Sequence, residues 1–171
     1  MNIYILFVLK RYEHKIREFI NAYDDMEAIV PSRIKLIKKR TDVIKEEQLL
    51  FPGYVFIKTS KETKDFRAFI QHYVYPIKGF IKVLSHADKD VSALSDEEVR
   101  TITPFFRNDG LFESSVGFVK DDKVIVTSGP LMGLESQIKY IDRHKKMAIL
   151  EIPLFNEVKE VKVSLEILSK Q

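Results

Sequence analysis

Residues Ile3 to Leu9 form a dense apolar run with β-branched and aromatic members, the pattern of a buried strand. The period then changes. Ile16, Phe19, Ile20 and Tyr23 fall at i, i+3, i+4 and i+7, which predicts an amphipathic helix over 12–24. Val30-Pro31 closes that segment, because proline disfavours helix in the residue before it. Between 33 and 45 apolar and basic residues alternate, which predicts a half-buried strand with a positive outer face. The segment LLFPGYVFIK, 49–58, sets a Pro-Gly turn before a strongly apolar strand. A second stripe, Phe66, Phe69, Ile70 and Tyr73, predicts a helix over 62–74, and Gly79 to Leu84 reads as a short strand. Ser95 and Glu98 have capping-box spacing ahead of Val99 and Ile102, and Pro104 ends this third helix. The order βαββαβα predicts an α+β domain, an antiparallel sheet with flanking helices.

Residues 105–117 show no period and hold Asn108, Asp109, Gly110, Ser114, Ser115 and Gly117, so they read as a linker. Phe105, Phe106, Leu111 and Phe112 are apolar for a free tether and suit packing on one of the domains. From Phe118 the texture is all β. Lys123 to Thr127, Gln137 to Ile141, Met147 to Ile152 and Glu160 to Leu165 read as strands, with turns at Ser128-Gly129-Pro130 and Asp142 to Lys146. So many short strands predict a small closed barrel. Val124, Ile125, Val126, Ile138, Ile141, Val161 and Val163 favour sheet over helix there, being β-branched. The expected division is a domain over 1–104, a linker over 105–117 and a barrel over 118–171.

Composition changes this picture little. Hydrophobic residues make up 45% of the 171 and charged residues 31%, which supports a packed core rather than a disordered chain. The net charge of +3, from 28 basic and 25 acidic residues, is no bulk signal for nucleic acid, so any such footprint must be local. Two clusters qualify. The strand 33–45 carries six Lys or Arg and one Asp, and Lys35, Lys38, Lys39 and Arg40 suit contact with a phosphate backbone. Lysines on a strand that resists edge pairing would look the same. The turn 142–146 fans out Arg143, His144, Lys145 and Lys146, with Lys139 and Tyr140 just before it. Those cations suit phosphates and Tyr140 suits stacking on an unpaired base. The plain alternative is an ordinary soluble turn with Tyr140 in the barrel core.

Catalytic chemistry finds no support. The absence of cysteine excludes disulfides, zinc-thiolate sites and thiol nucleophiles. His14, His72, His86 and His144 are scattered without metal spacing, and no GxSxG, P-loop or GxGxxG occurs. The carboxylate pairs Asp24-Asp25 and Glu97-Glu98 are adjacent, so on a helix they point apart. No enzyme, cofactor or metal site is expected. The N-terminus lacks the basic region and cleavage site of a signal peptide, and no run reaches the length of a membrane span. A soluble, cytoplasmic monomer is expected, without membrane contact.

Motifs along almost the whole chain, in order, resemble the NusG family of transcription elongation factors, which join an NGN domain to a KOW domain. LFPGYVFIK resembles the Phe/Tyr-Pro-Gly-Tyr-Val string of the NGN domain. Ile3-Tyr4 aligns with the Trp-Tyr that opens such proteins, and Tyr12-Glu13 with the Tyr-Glu that begins their first helix. GFIKVL and LSDEEV are similar to later NGN segments, and DDKVIVTSGPLMGLESQIKYID to the KOW signature. The resemblance implies an NGN domain followed by an SH3-like KOW barrel. It further implies docking on the clamp helices of the RNA polymerase β′ subunit through an apolar, aromatic surface around the first Pro-Gly bend. By position, that surface comprises Tyr4, Phe7, Phe51, Pro52, Tyr54, Phe56, Phe80 and Ile81. Because alternate strand residues face opposite ways, some of these must be core; Phe51, Tyr54 and Phe80 are the expected outward anchors.

The departures point to a specialised member. Ile3 replaces the opening tryptophan, Arg11 a glycine, and Leu131 and Leu134 two KOW phenylalanines. In housekeeping members the loop with the first of these phenylalanines meets a ribosomal protein or the terminator Rho. The chain resembles operon-specific antiterminators of the LoaP type, and less closely the RfaH type. That implies a structured RNA hairpin as a second partner, held by the basic KOW turn, with non-template or upstream DNA at the strand 33–45. The alternatives are a general elongation factor whose KOW domain binds proteins only, and a KOW-bearing ribosome-associated protein.

Overall fold

The computed structural model describes residues 1–87 and 89–170. It divides into two compact units. The first comprises residues 1–30, 51–100 and 154–157, and the second 31–50, 101–153 and 158–171.

In the first unit, β1 (Asn2–Val8), β2 (Met26–Ile29), β5 (Tyr54–Thr59) and β6 (Phe80–Val83) form an antiparallel sheet in the order β2-β5-β1-β6. The apolar runs of β1 and β5 pair from Asn2↔Thr59 to Phe7↔Tyr54. Both strands bury side chains on both faces, as a central strand with no polar alternation must. Helix α1 (Glu13–Asn21) buries Ile16 and Ile20. Helix α2 (Thr63–Phe69) buries Phe66 and Phe69 and runs into a π-helical turn, Ile70–Val74. Across the helical layer Tyr23 meets Phe69 edge-on at 5.0 Å. The two periodic stripes therefore become the two helices they predict. The capping box also forms at the start of α3 (Asp96–Ile102): Ser95 N–H donates to Glu98 Oε2 at 2.8 Å and Glu98 N–H to Ser95 Oγ at 3.3 Å. Glu98 accepts a further bond from Phe155 N–H, in the turn 154–157.

The single strand expected over 33–45 is corrected to a hairpin, β3 (Ser32–Lys39) and β4 (Asp42–Leu49), turning at Arg40-Thr41. Eight residue pairs, Ser32↔Leu49 through Lys39↔Asp42, form a two-stranded ribbon separate from the sheets. Its alternation does not serve a core. Leu36 is 62% exposed on one face and Ile44 42% on the other, so the ribbon meets solvent on both faces. The turn escapes sequence reading because it uses no glycine or proline; Arg40 itself takes φ +36. Strand β2 was not expected either, being only four residues between α1 and Pro31.

The rest of the second unit is mainly β, with 3-10 turns at Thr103–Phe106, Asn108–Gly110 and Glu135–Gln137. Strands β7 (Ser115–Lys120), β8 (Lys123–Ser128), β9 (Ile138–Asp142), β10 (Met147–Leu154) and β11 (Glu157–Lys170) form a five-stranded sheet in the order β8-β7-β11-β10-β9. β7 runs parallel to β11, from Leu165↔Ser115. The architecture matches the expected SH3-like KOW fold, and the β-branched segments are strands rather than helices. Its core includes Val126, Leu131, Leu150, Ile152, Val161, Val163 and Leu165. Within 105–117, the Phe105 and Phe112 rings stack at 4.6 Å and are buried, and Phe112 N–H donates to Ser32 O at 2.8 Å.

Candidate docking and nucleic-acid surfaces

The Pro52-Gly53 bend is built by three constraints. Gly53 has φ +84, and a Cβ there would meet the Phe7 ring at 3.0 Å and the Val8 carbonyl oxygen at 3.2 Å. Its carbonyl accepts a bond from Val8 N–H at 2.8 Å. Its N–H donates to Glu13 Oε1 at 2.9 Å. The Tyr12-Glu13 and Pro52-Gly53 motifs, far apart in the chain, are thus two ends of one buried hydrogen bond. Glu13 is 2% exposed. Glu13→Ala leaves the buried Gly53 N–H without this acceptor and is expected to cost about 1–3 kcal/mol in a denaturant melt. Glu13→Gln keeps an acceptor oxygen and should recover most of that loss.

Behind the bend four rings pack together. Phe7 meets Tyr54 edge-on at 6.1 Å, Phe51 meets Phe56 at 5.2 Å, Tyr54 meets Phe56 at 6.2 Å, and Phe51 stacks on Tyr54 at 6.4 Å. Phe51 is 3% exposed, Tyr54 4% and Phe56 0%. Tyr4 is elsewhere: its ring stacks on Phe66 of α2 at 3.9 Å and its hydroxyl donates to Lys61 O at 3.1 Å. Burial pushes the Tyr4 hydroxyl above its usual pKa. The interior placement of Phe51 and Tyr54 corrects the expectation that they face outward, and Tyr4 and Phe56 are the members of the set that belong to the core. Tyr4, Tyr54 and Phe56 lie on β1 and β5, central strands with no solvent face over these positions, and Phe51, in the turn before β5, is held inside by its contacts with Tyr54 and Phe56.

What reaches solvent is a fringe. Pro52 and Ile81 are exposed, and Phe7 and Phe80 are half-buried. Leu9 and Tyr75, which the sequence reading passed over, join them: both are exposed, and Tyr75 meets Phe80 at 5.4 Å. Leu9 N–H donates to Gly79 O at 2.7 Å, which sets it beside β6. Ile81 is prominent because β6 bulges against β1 between the Phe7↔Lys82 and Val8↔Phe80 pairs.

The second unit carries the basic clusters. At the β9–β10 turn, Lys145 N–H donates to Asp142 Oδ1 at 2.9 Å, an Asx-type lock, and Lys146 takes φ +53. Leu165 N–H donates to Lys146 O at 3.0 Å, tying the turn to β11. Arg143, His144, Lys145 and Lys146 are exposed, and Tyr140 is 57% exposed, so its ring is outside the core. Two of the expected contacts are occupied. Lys139 Nζ pairs with Glu160 at 2.7 Å and Glu151 at 3.3 Å, and Lys146 Nζ with Glu166 at 3.4 Å. The hydrogen bond to Glu160 raises the Lys139 pKa, and the same bond lowers that of Glu160. On the ribbon Lys35, Lys38, Lys39 and Arg40 are all exposed. Leu131 is buried, with its N–H donating to Ser115 Oγ at 3.0 Å, while its neighbour Met132 is 55% exposed.

Among the described residues no group of His, Asp and Glu is placed to hold a metal ion, and no helix is long and apolar enough to cross a membrane. A family model described as NusG, transcription termination factor nusG, matches residues 1–103. No curated protein gives a significant match.

Proposed function

Because the chain belongs to the NusG family, whose model covers 103 of its 171 residues, we propose that it is a processive antiterminator that docks on RNA polymerase through the first unit and holds a structured RNA through the all-β region. NusG-family proteins are transcription factors that act by binding polymerase. The finer reading concerns what this chain adds. The observation that carries it is the apolar fringe of Phe7, Pro52, Phe80 and Ile81, held in front of a locked ring cluster. Aromatic and apolar anchors on a rigid base are what a helical partner needs for a tight interface. The partner proposed is the β′ clamp-helix pair.

The RNA part of the proposal is supported by the exposed Arg143, His144 and Lys145 beside a solvent-facing Tyr140. An operon-specific, LoaP-like role follows if such an RNA lies in a leader. The protein-only reading of the all-β region is favoured by one observation, the capture of Lys139 and Lys146 by carboxylates. A gel-shift series with leader-derived hairpins separates the two. Changing Arg143, Lys145 and Lys146 together to alanine is expected to weaken binding and flatten its salt slope by about one unit per lost phosphate contact. Unchanged binding would favour the protein-only reading.

A further inference from the structure

We propose that the β3–β4 ribbon and the 142–146 turn form one nucleic-acid surface, across which a single RNA stem-loop lies. The inference rests on the RNA reading above and extends it to a segment far away in the chain. Both basic segments belong to the second unit. Arg33 joins them. It sits at the ribbon base, 5% exposed, and its Nη2 donates to Gln48 Oε1 on β4 at 2.9 Å. The same guanidinium reaches Ser164 Oγ on β11 and Met147 Sδ, each at 3.4 Å. Met147 follows Lys146 directly, so the ribbon is rooted where the basic turn ends.

Register then decides where the ribbon's cations go. Residues of one parity share a face, so Lys35 and Lys39 lie on the face of Arg33, while Lys38 and Lys45 lie on the other. From Arg33 to Lys39 the ribbon extends by roughly 20 Å at about 3.3 Å per residue. No ion pair to Lys35, Lys38, Lys39, Arg40 or Lys45 is found among the described residues, in contrast to Lys139 and Lys146. Arg33 finds only neutral acceptors, and burial draws its pKa down. Residues 33–49 carry six Lys or Arg against Asp42, Glu46 and Glu47, with Lys35 opposite Glu46 and Lys39 opposite Asp42, so the ribbon stays net positive, and Arg143 and Lys145 add exposed charge at the turn. Solvated cations spread over such a length match a run of phosphates rather than a single anion. Tyr140, exposed on β9 next to the turn, offers a ring to an unpaired base. A stem for the ribbon and a loop base for the tyrosine make a stem-loop the fitting ligand.

The test uses the full chain and a fluorescent RNA stem-loop with a stem of about ten base pairs, beside a DNA stem-loop of the same sequence. Affinity is measured as a function of salt. Lys35→Ala and Lys39→Ala in combination are expected to lower RNA affinity and flatten the log–log salt slope by about two units, with the melting temperature unchanged. Amide resonances of the ribbon tip and of the 142–146 turn should shift together when RNA is added. A ribbon variant with the original slope, beside a turn variant that loses it, overturns the shared surface and leaves the RNA reading standing. Loss of neither slope, or no binding of the RNA probe at low salt, overturns both. DNA bound as tightly as RNA overturns the assignment of the ligand.

Discussion

Phe80→Ala combined with Ile81→Asp lowers the affinity of the chain for RNA polymerase by about a hundredfold or more, while its unfolding curve stays near that of the original protein. The size follows from the place of these residues. Interface anchors in a tight apolar contact contribute about 2 kcal/mol or more each, and a buried, unpaired aspartate adds a desolvation penalty in the complex. Two such losses exceed the 2.8 kcal/mol or so that correspond to a hundredfold change in affinity. Stability is spared because Ile81 is 40% exposed and Phe80 half-buried on the short edge strand β6. A fluorescence titration with core polymerase, paired with a denaturant melt, reads both quantities. Full affinity in the double variant would move the docking surface away from this fringe.

Phe51→Ala produces the other large effect, of a different kind. The ring is 3% exposed and contacts Tyr54 and Phe56, so its removal leaves a cavity in a close-packed cluster. A destabilisation of about 3–5 kcal/mol is expected. That is a large share of the 5–15 kcal/mol or so that holds a typical domain folded. Polymerase binding should fall in step with the folded fraction and recover when folding is restored by a stabilising osmolyte. A stable Phe51→Ala protein that nevertheless fails to bind would show that this ring itself touches polymerase. The contrast between Phe51 and Ile81 separates residues that shape the fringe from residues that present it.

How far the sequence reveals this molecule depends on the range of the interactions involved. The stripes Ile16/Phe19/Ile20/Tyr23 and Phe66/Phe69/Ile70/Tyr73 are local patterns, and both give helices. The β-branched strands of the C-terminal region are local too, and they give the all-β fold. The hairpin fails because Ile34, Leu36, Val43 and Ile44 alternate as if they had a core to face, whereas all four are exposed. Glu13 is illegible for a different reason. Its role depends on Gly53, a contact forty residues distant that no period encodes. Tyr4, Phe51, Tyr54 and Phe56 have the composition of an interface, but composition does not distinguish a ring on a surface from a ring that supports one. Ile81 is named from the motif alone, but its exposure comes from the bulge in β6, which no local pattern encodes.

The central claim is that the fringe around the Pro52-Gly53 bend grips the polymerase clamp helices. A photo-cross-linking residue at position 81 tests it most directly, with the full chain bound to elongating polymerase and the adducts mapped by mass spectrometry. The account predicts adducts concentrated in the β′ clamp-helix pair, and far fewer from a cross-linker at Glu27 on β2, the opposite edge strand of the sheet. Adducts from position 81 that fall elsewhere on polymerase, or equal yields from both positions, would contradict it.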